Sequence, residues 1–208
     1  KDMSKNFWEA SPQLKKKSNL FQFEKFISKK FKKKFHQNYS KILKWSIKNS
    51  PDFWNSFWDF SQIKGIKGKK KIIKNKVLFK NLFLPGSKLN FTENLLAKNN
   101  KDKAITFISE NGYREEKNWK ELTINISNIQ NFLKKIKIKK SDRIAAYLPN
   151  QPETVEAFLG AASIGAIWSS CSPDFGENGV IERFSQISPR VLFIVDHYFY
   201  NGKKIEVL

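Results

Sequence analysis

Cysteine is almost missing from this chain: Cys171 is the only one in 208 residues. A single thiol excludes an internal disulfide framework and any cysteine-based zinc site. The two histidines, His36 and His197, lie far apart and show no metal-ligand spacing. Arginine is scarce as well. Arg114, Arg143, Arg183 and Arg190 are the only four among 39 basic residues. A net charge of +20 invites a polyanion reading, but nucleic-acid recognition leans on the planar arginine fork. Here the excess is lysine scattered among Asn, Ile and Phe, the mixture that AT-rich coding produces. It reads as a solvated, compositionally biased surface. Long apolar runs are also lacking. The longest, Ala157 to Trp168, spans 12 residues, against the roughly 20 that cross a bilayer. The start Lys1-Asp2-Met3 leads into no apolar signal region. These absences predict a reduced, soluble, cytoplasmic protein with neither a membrane nor a nucleic acid as partner.

What the chain does have is aromatic residues, with 19 Phe and 6 Trp. That supply argues for a packed core over wholesale disorder. The charge is lopsided. Residues 141–208 hold five basic and eight acidic residues, so the basic excess sits in residues 1–140, densest from Lys67 to Lys74. The first part reads as short helices. Ser18 or Asn19 caps one that carries Leu20, Phe23, Phe26, Ile27 and Phe31 on one face. Tyr39 to Lys48 repeats the pattern with Ile42, Leu43, Trp45 and Ile47. Ser50-Pro51-Asp52 supplies a capping Ser, a Pro at the first helical position and an acid near the positive dipole end. The helix that follows sets Phe53, Trp54, Phe57 and Trp58 in one apolar stripe, expected to pack in a core rather than to stack on bases. Ile63 to Lys80 is a Lys/Gly loop or linker. Its Gly65-x-x-Gly68-Lys69-Lys70 lacks the strand, the spacing and the Ser/Thr of a phosphate loop.

From about residue 102 the rhythm changes. Lys103 to Ser109 reads as a strand, and Glu110-Asn111-Gly112 turns it into a hairpin. Trp119 to Lys137 has helical spacing in Leu122, Ile126, Ile129, Phe132, Leu133 and Ile136. Arg143 to Leu148 is a strand and Pro152 to Ile164 a small-residue helix stopping at Gly165. Ala166 to Ser170 is a buried strand, Glu177 to Ile187 a helix, and Val191 to Val195 another buried strand. This alternation predicts an α/β fold: an N-terminal helical cap, then a parallel, doubly covered sheet. Such sheets bind ligands at the carboxyl ends of their strands. The loops that matter are therefore Pro149-Asn150-Gln151, Cys171 to Asn178 and Asp196 to Lys203.

Those loops carry a resemblance. Asp142-Arg143-Ile144-Ala145-Ala146-Tyr147-Leu148-Pro149-Asn150, followed by Pro152-Glu153, resembles a signature of the adenylate-forming acyl-CoA synthetases. Ile167-Trp168-Ser169-Ser170-Cys171-Ser172-Pro173-Asp174-Phe175-Gly176 resembles the acetoacetyl-CoA synthetase family in particular. So do Asn178-Gly179-Val180, Arg183-Phe184-Ser185-Gln186-Ile187 and Phe83-Leu84-Pro85-Gly86-Ser87-Lys88-Leu89-Asn90-Phe91. The resemblance spans about residues 5–205. It implies residues 1–85 as cap and linker and 86–208 as the truncated start of an AMP-binding adenylation domain. It implies a full-length ligase using ATP, CoA and Mg2+ on acetoacetate. The family's phosphate loop and catalytic lysine match nothing in these residues. The piece alone is therefore expected to be inert, with no catalytic or metal-binding residue and no tightly bound cofactor. Its incomplete sheet predicts poor solubility.

By the same resemblance, CoA would meet Ser172, Pro173 and Asp174 and the stretch Tyr200-Asn201-Gly202-Lys203. The match is loose: relatives of the acetyl type have an aromatic-Gly-Gly triplet for Ser-Pro-Asp and an Arg for Tyr200. Lys203 offers a charge for a CoA phosphate, while Asn201-Gly202 also reads as a plain turn. Cys171 reads as a buried small residue at a strand end rather than a nucleophile. Asp174 reads as a helix cap or turn closer, and Asp196 as a loop-orienting residue. Two alternatives stand beside this reading. One is a ligase for another short acyl acid of the acetyl, propionyl or butyryl type. The other is a basic module in residues 1–80 that holds RNA or an anionic surface.

Overall fold

The computed structural model describes residues 8–69, 72–73, 75 and 77–208. The start Lys1-Asp2-Met3, and Lys70, Lys71 and Lys74 of the lysine run, lie outside them. The chain divides into two compact units, Lys1–Lys88 and Leu89–Leu208. No described helix is long and apolar enough to cross a membrane.

In the first unit, α1 (Pro12–Lys17), α2 (Asn19–Phe31), α3 (Tyr39–Lys48) and α4 (Ser50–Phe60) follow in order. Ser18 caps α2 by accepting from the Phe21 amide, and Asn38 caps α3 by accepting from the Lys41 amide. Each thereby satisfies one orphan donor of a first turn. The cap of α4 is Asn49 rather than Ser50, and the Asn49 side chain makes no capping bond. Pro51 fixes the start instead by its preset φ. Phe23, Ile27, Phe35, Ile42 and Trp45 form the buried core. Phe53 and Phe60 meet the Phe23 ring edge-on at 5.6 and 5.2 Å, the favoured geometry for aromatic pairs. The apolar stripe of α4 is therefore rotated from the one the sequence suggests. Phe53, Ser56 and Phe60 line the core, while Trp54 and Phe57 are about 40% exposed (40% and 41%). Leu43 and Ile47 of α3 also face outward. Among the described residues, the linker pairs β1 (Ile72–Ile73) with β2 (Leu82–Phe83), and Ile66 bridges to Lys88.

The second unit opens with α5 (Phe91–Leu95), capped by Asn90. The Asn90 side-chain amide donates to the carbonyls of Ala162 and Ser163, and Thr92 Oγ1 donates to that of Leu159. The hairpin of β3 (Lys103–Ile108) and β4 (Arg114–Asn118) follows, then α6 (Trp119–Lys135). Asn118 and Glu121 make a reciprocal capping box at the start of α6. Next come β5 (Arg143–Tyr147), α7 (Pro152–Ser163), β6 (Ile167–Cys171), α8 (Glu177–Ser185) and β7 (Val191–Ile194). β8 (His197–Tyr200) and β9 (Lys203–Glu206) form a terminal hairpin.

The three-stranded sheet is parallel, in the order β6-β5-β7. Side chains alternate across its pleat. Ile144, Trp168, Val191 and Phe193 face the layer of α6 and α7, packing with Leu133 and Ala161. Ala145 and Cys171 face the other way, against Phe184 of α8. Helices thus cover both faces, as a parallel sheet requires. The approach of α6 to α7 is close because position 160 is glycine. A Cβ there would lie 2.5 Å from Ile129 Cγ2.

Two strands read as buried are only half so. Only β5 is buried along its middle, at Ile144, Ala145 and Ala146. β6 and β7 are the sheet's two edges, and alternate residues of β7 stand open, Leu192 at 47% and Ile194 at 41%. Continuous apolar composition marks a sheet strand without revealing whether it has two neighbours.

Candidate functional site

The carboxyl ends of the parallel strands carry the residues that the sequence singles out. At the end of β6, Cys171 is buried, and burial pushes its thiol up while Arg183 pulls weakly the other way. A protonated thiol packed on Ala145 and Phe184 is structural. The chain then makes a tight turn. Ser172 Oγ donates to Asp174 Oδ2 at 2.9 Å, and the Phe175 amide donates to the Ser172 carbonyl at 3.2 Å. Of the two roles open to Asp174, the turn is the one observed. The cap of α8 is Gly176, without a side-chain bond. Ser172 and Asp174 are exposed, and Pro173 between them is buried.

The second group, Tyr200, Asn201, Gly202 and Lys203, forms the tip of the β8–β9 hairpin, with Tyr200 paired to Lys203. Asn201 and Gly202 have φ of 50° and 72°. Positive φ at both central residues is the two-residue turn that Asn-Gly favours. These four residues are thus a turn, as their sequence alone allows. The Gly202 amide donates to Glu110 Oε2 at 3.3 Å, tying the tip to the β3–β4 hairpin. Lys203 is exposed.

What joins the loop to the hairpin is a residue of the Asp196–Lys203 stretch to which the sequence gives no role. Tyr198 of β8 donates from its hydroxyl to the Pro173 carbonyl at 3.4 Å. Tyr147, at the end of β5, places its hydroxyl 2.5 Å from the same carbonyl and 2.7 Å from that of Phe175. Burial pushes both phenols up, and the Asp174 carboxylate adds to the effect, so both remain protonated donors at neutral pH. The Arg183 guanidinium lies over the Phe175 ring at 4.3 Å.

A cavity of about 620 Å³ opens beside these loops. Pro149, Asn150 and Gln151 form one wall and Asp196 to Phe199 another, so two of the three expected loops share it. The third wall is the β3–β4 hairpin, with Phe107, Glu110 and Tyr113. Asp196 does orient its loop: its Oδ1 accepts from the His197 amide and its carbonyl from the Val207 amide, at 2.9 and 2.8 Å. Behind the cavity, Lys117 gathers three carboxylates. Its Nζ lies 2.9 Å from Glu156, 3.2 Å from Glu153 and 3.4 Å from Glu115. Glu156 is buried and also accepts from the Asn125 side chain at 2.8 Å. Burial opposes the charge on Lys117, but Glu156 and Glu153 outweigh it and raise the ammonium well above its ordinary value.

This geometry has known counterparts. The AMP-binding enzyme family matches residues 93–207. The chain is 36% identical over 200 residues to an acetoacetyl-coenzyme A synthetase of Rhizobium meliloti (strain 1021), covering 96% of this chain and 31% of that protein. It is 40% identical over 172 residues to the acetoacetyl-CoA synthetase of Macaca fascicularis, covering 81% of this chain and 26% of that protein. Among solved structures, the acetoacetyl-CoA synthetase from Streptomyces lividans aligns with a TM-score of 0.88 and 26% identity, over 96% of this chain and 31% of that one. The chain thus spans about a third or less of the length of these relatives. Its helices and parallel sheet match part of their α/β fold. With more than half of its residues matched, this chain belongs to the AMP-binding enzyme family.

Proposed function

We propose that this chain is the opening part of an ATP-dependent acetoacetate–CoA ligase, and that its loop at Ser172, Pro173 and Asp174, together with Tyr200 to Lys203, meets CoA. Residues 1–85 are the cap and linker, and 86–208 begin the adenylation domain. The enzyme works in the cytoplasm on small molecules, apart from membranes and nucleic acid. One observation carries the reading: the family-like loop leaves a parallel strand at its carboxyl end and is tied through Tyr198 to the hairpin bearing Lys203. That end of such a sheet is where ligands bind.

In the reaction, a carboxylate oxygen of acetoacetate attacks the α-phosphorus of ATP, and the bond to pyrophosphate breaks. The CoA sulfur then attacks the acyl carbon, the bond to AMP breaks and the thiol proton leaves to solvent. The residues described here bind and orient. Lys203 offers an exposed positive charge to a CoA phosphate. Ser172 and Asp174 are exposed and offer polar groups to the ligand, and Pro173 holds the loop's shape. Among the described residues no three His, Cys, Asp or Glu side chains converge to hold a metal. The phosphate loop and catalytic lysine of the resembled family match nothing in these residues, so the 208 residues alone should not catalyse the reaction.

The test is the full-length protein supplied with ATP and CoA. Thioester should form fastest from acetoacetate. Equal or faster turnover of acetate, propionate or butyrate would shift the assignment to another short acyl acid. Salt-sensitive RNA binding without ligase activity would replace it altogether.

A further inference from the structure

Tyr147 closes the central strand β5, whose residues Ile144, Ala145 and Ala146 are fully buried. Its single hydroxyl hydrogen faces two carbonyls of one short loop, Pro173 at 2.5 Å and Phe175 at 2.7 Å. Tyr198 reaches the Pro173 carbonyl from the opposite element, the hairpin that carries Lys203. Within the loop, the bond from the Phe175 amide to the Ser172 carbonyl is joined only by the Ser172–Asp174 side-chain turn. Pro173 has no amide hydrogen to give. The loop's position is therefore set from outside by two phenols and by Arg183 over the Phe175 ring.

We propose that Tyr147 and Tyr198 are positioning residues that fix the Ser172–Phe175 loop relative to Lys203, so that one CoA molecule can contact both. This rests on the CoA reading given above. Neither phenol needs to touch CoA. Each acts through the loop, and their shared acceptor, the Pro173 carbonyl, couples the end of β5 to the β8–β9 hairpin. Removing a hydroxyl leaves ring packing intact and frees the carbonyls, so the loop and Lys203 are no longer held in one register.

The experiment uses the full-length protein with Tyr147→Phe, Tyr198→Phe, the double variant and, as a reference for the CoA site, Lys203→Ala. The measurements are KM for CoA and the acetoacetate-dependent exchange of pyrophosphate into ATP, which needs no CoA. Tyr147→Phe should raise the KM for CoA about five-fold, the effect of losing one hydrogen bond of ordinary net strength. The double variant should raise it further, and pyrophosphate exchange should stay within about two-fold. Amide exchange at residues 174–176 should quicken in both single variants. If Tyr147→Phe fails to fold, Tyr198→Phe carries the same two readouts. A KM for CoA unchanged in the tyrosine variants but raised in Lys203→Ala would overturn the positioning role and leave the CoA site standing. A KM unchanged in all of them would overturn both. Equal losses in pyrophosphate exchange and thioester formation would reduce the tyrosines to general structural support.

Discussion

Replacing Lys117 with Met should destabilise the second unit by about 3 kcal/mol, the lower end of what breaking a buried pair from one side costs. The side chain of Lys117 is 11% exposed and that of Glu156 6%, so the pair is barely screened by solvent. Methionine fills similar volume but leaves the Glu156 carboxylate with only the Asn125 amide as partner. The reverse change is milder. In Glu156→Gln the amide oxygen still accepts from Lys117, and Lys117 keeps Glu153 and Glu115 within reach. Those carboxylates are 54% and 29% exposed, so they compensate in part, and the expected loss is about 1–1.5 kcal/mol. The double variant should fall short of the sum by at least about 1 kcal/mol, as contacting residues do. Native-state hydrogen exchange at the amides of Ile144 to Ala146 and in α7 is the assay, because it reads the stability of the elements that the cluster joins. The pH dependence has a definite sign. The folded-state ammonium titrates above its unfolded value of about 10.4. Its stabilisation is therefore complete below that value and fades only as pH rises through the folded one. The gap between wild type and Lys117→Met should be unchanged from pH 8 to 10 and shrink only in stronger alkali. A loss under about 1 kcal/mol, or a gap that closes by pH 9, would refute this account of the cluster.

Three further outcomes follow from packing and backbone geometry. Gly160→Ala puts a methyl 2.5 Å from Ile129 Cγ2, so α6 and α7 must part. It should lower stability by about 1–3 kcal/mol, and adding Ile129→Ala should restore part of the loss in a thermal melt. Ser56 is fully buried and its Oγ has no hydrogen-bond partner among the described residues. Ser56→Ala should be neutral or stabilising by up to about 1 kcal/mol in urea denaturation, and a clear loss would mean that the hydroxyl is satisfied. Gly202→Ala places a Cβ at φ 72° and should weaken the β8–β9 hairpin by about 1 kcal/mol. Asn201→Gly should be nearly silent, with both read as amide exchange in residues 197–206.

Local signals were legible where each residue answers to its own neighbours along the chain. Tyr39–Lys48 and the Asn-Gly hairpin tip follow from caps, periodicity and turn chemistry. The β5-α7-β6-α8-β7 alternation follows from the punctuation of Pro152 and Gly165. Asn90 with Glu93 three residues later was a usable helix-start signal for α5, and it was obscured by the Pro85-Gly86 linker before it. The rest depended on partners distant in sequence. Nothing near Lys117 announces Glu156, 39 positions away. Tyr147 reads as an ordinary strand aromatic and Tyr198 as one residue of the Asp196–Lys203 loop until the fold brings both to the Pro173 carbonyl. The exposed side of β7 was equally hidden. Val191-Leu192-Phe193-Ile194 is apolar throughout, and only the strand order shows that it is an edge. Within the candidate site, Ser172 to Asp174 and Tyr200 to Lys203 were found as strings, and the residues that hold them together were not.

The most direct measurement of the central proposal is the stoichiometry of products from the full-length protein given acetoacetate, ATP and CoA. One AMP and one pyrophosphate should appear per acetoacetyl thioester, with thioester formation requiring CoA. ADP and phosphate in place of AMP and pyrophosphate, or no CoA-dependent thioester at all, would contradict it.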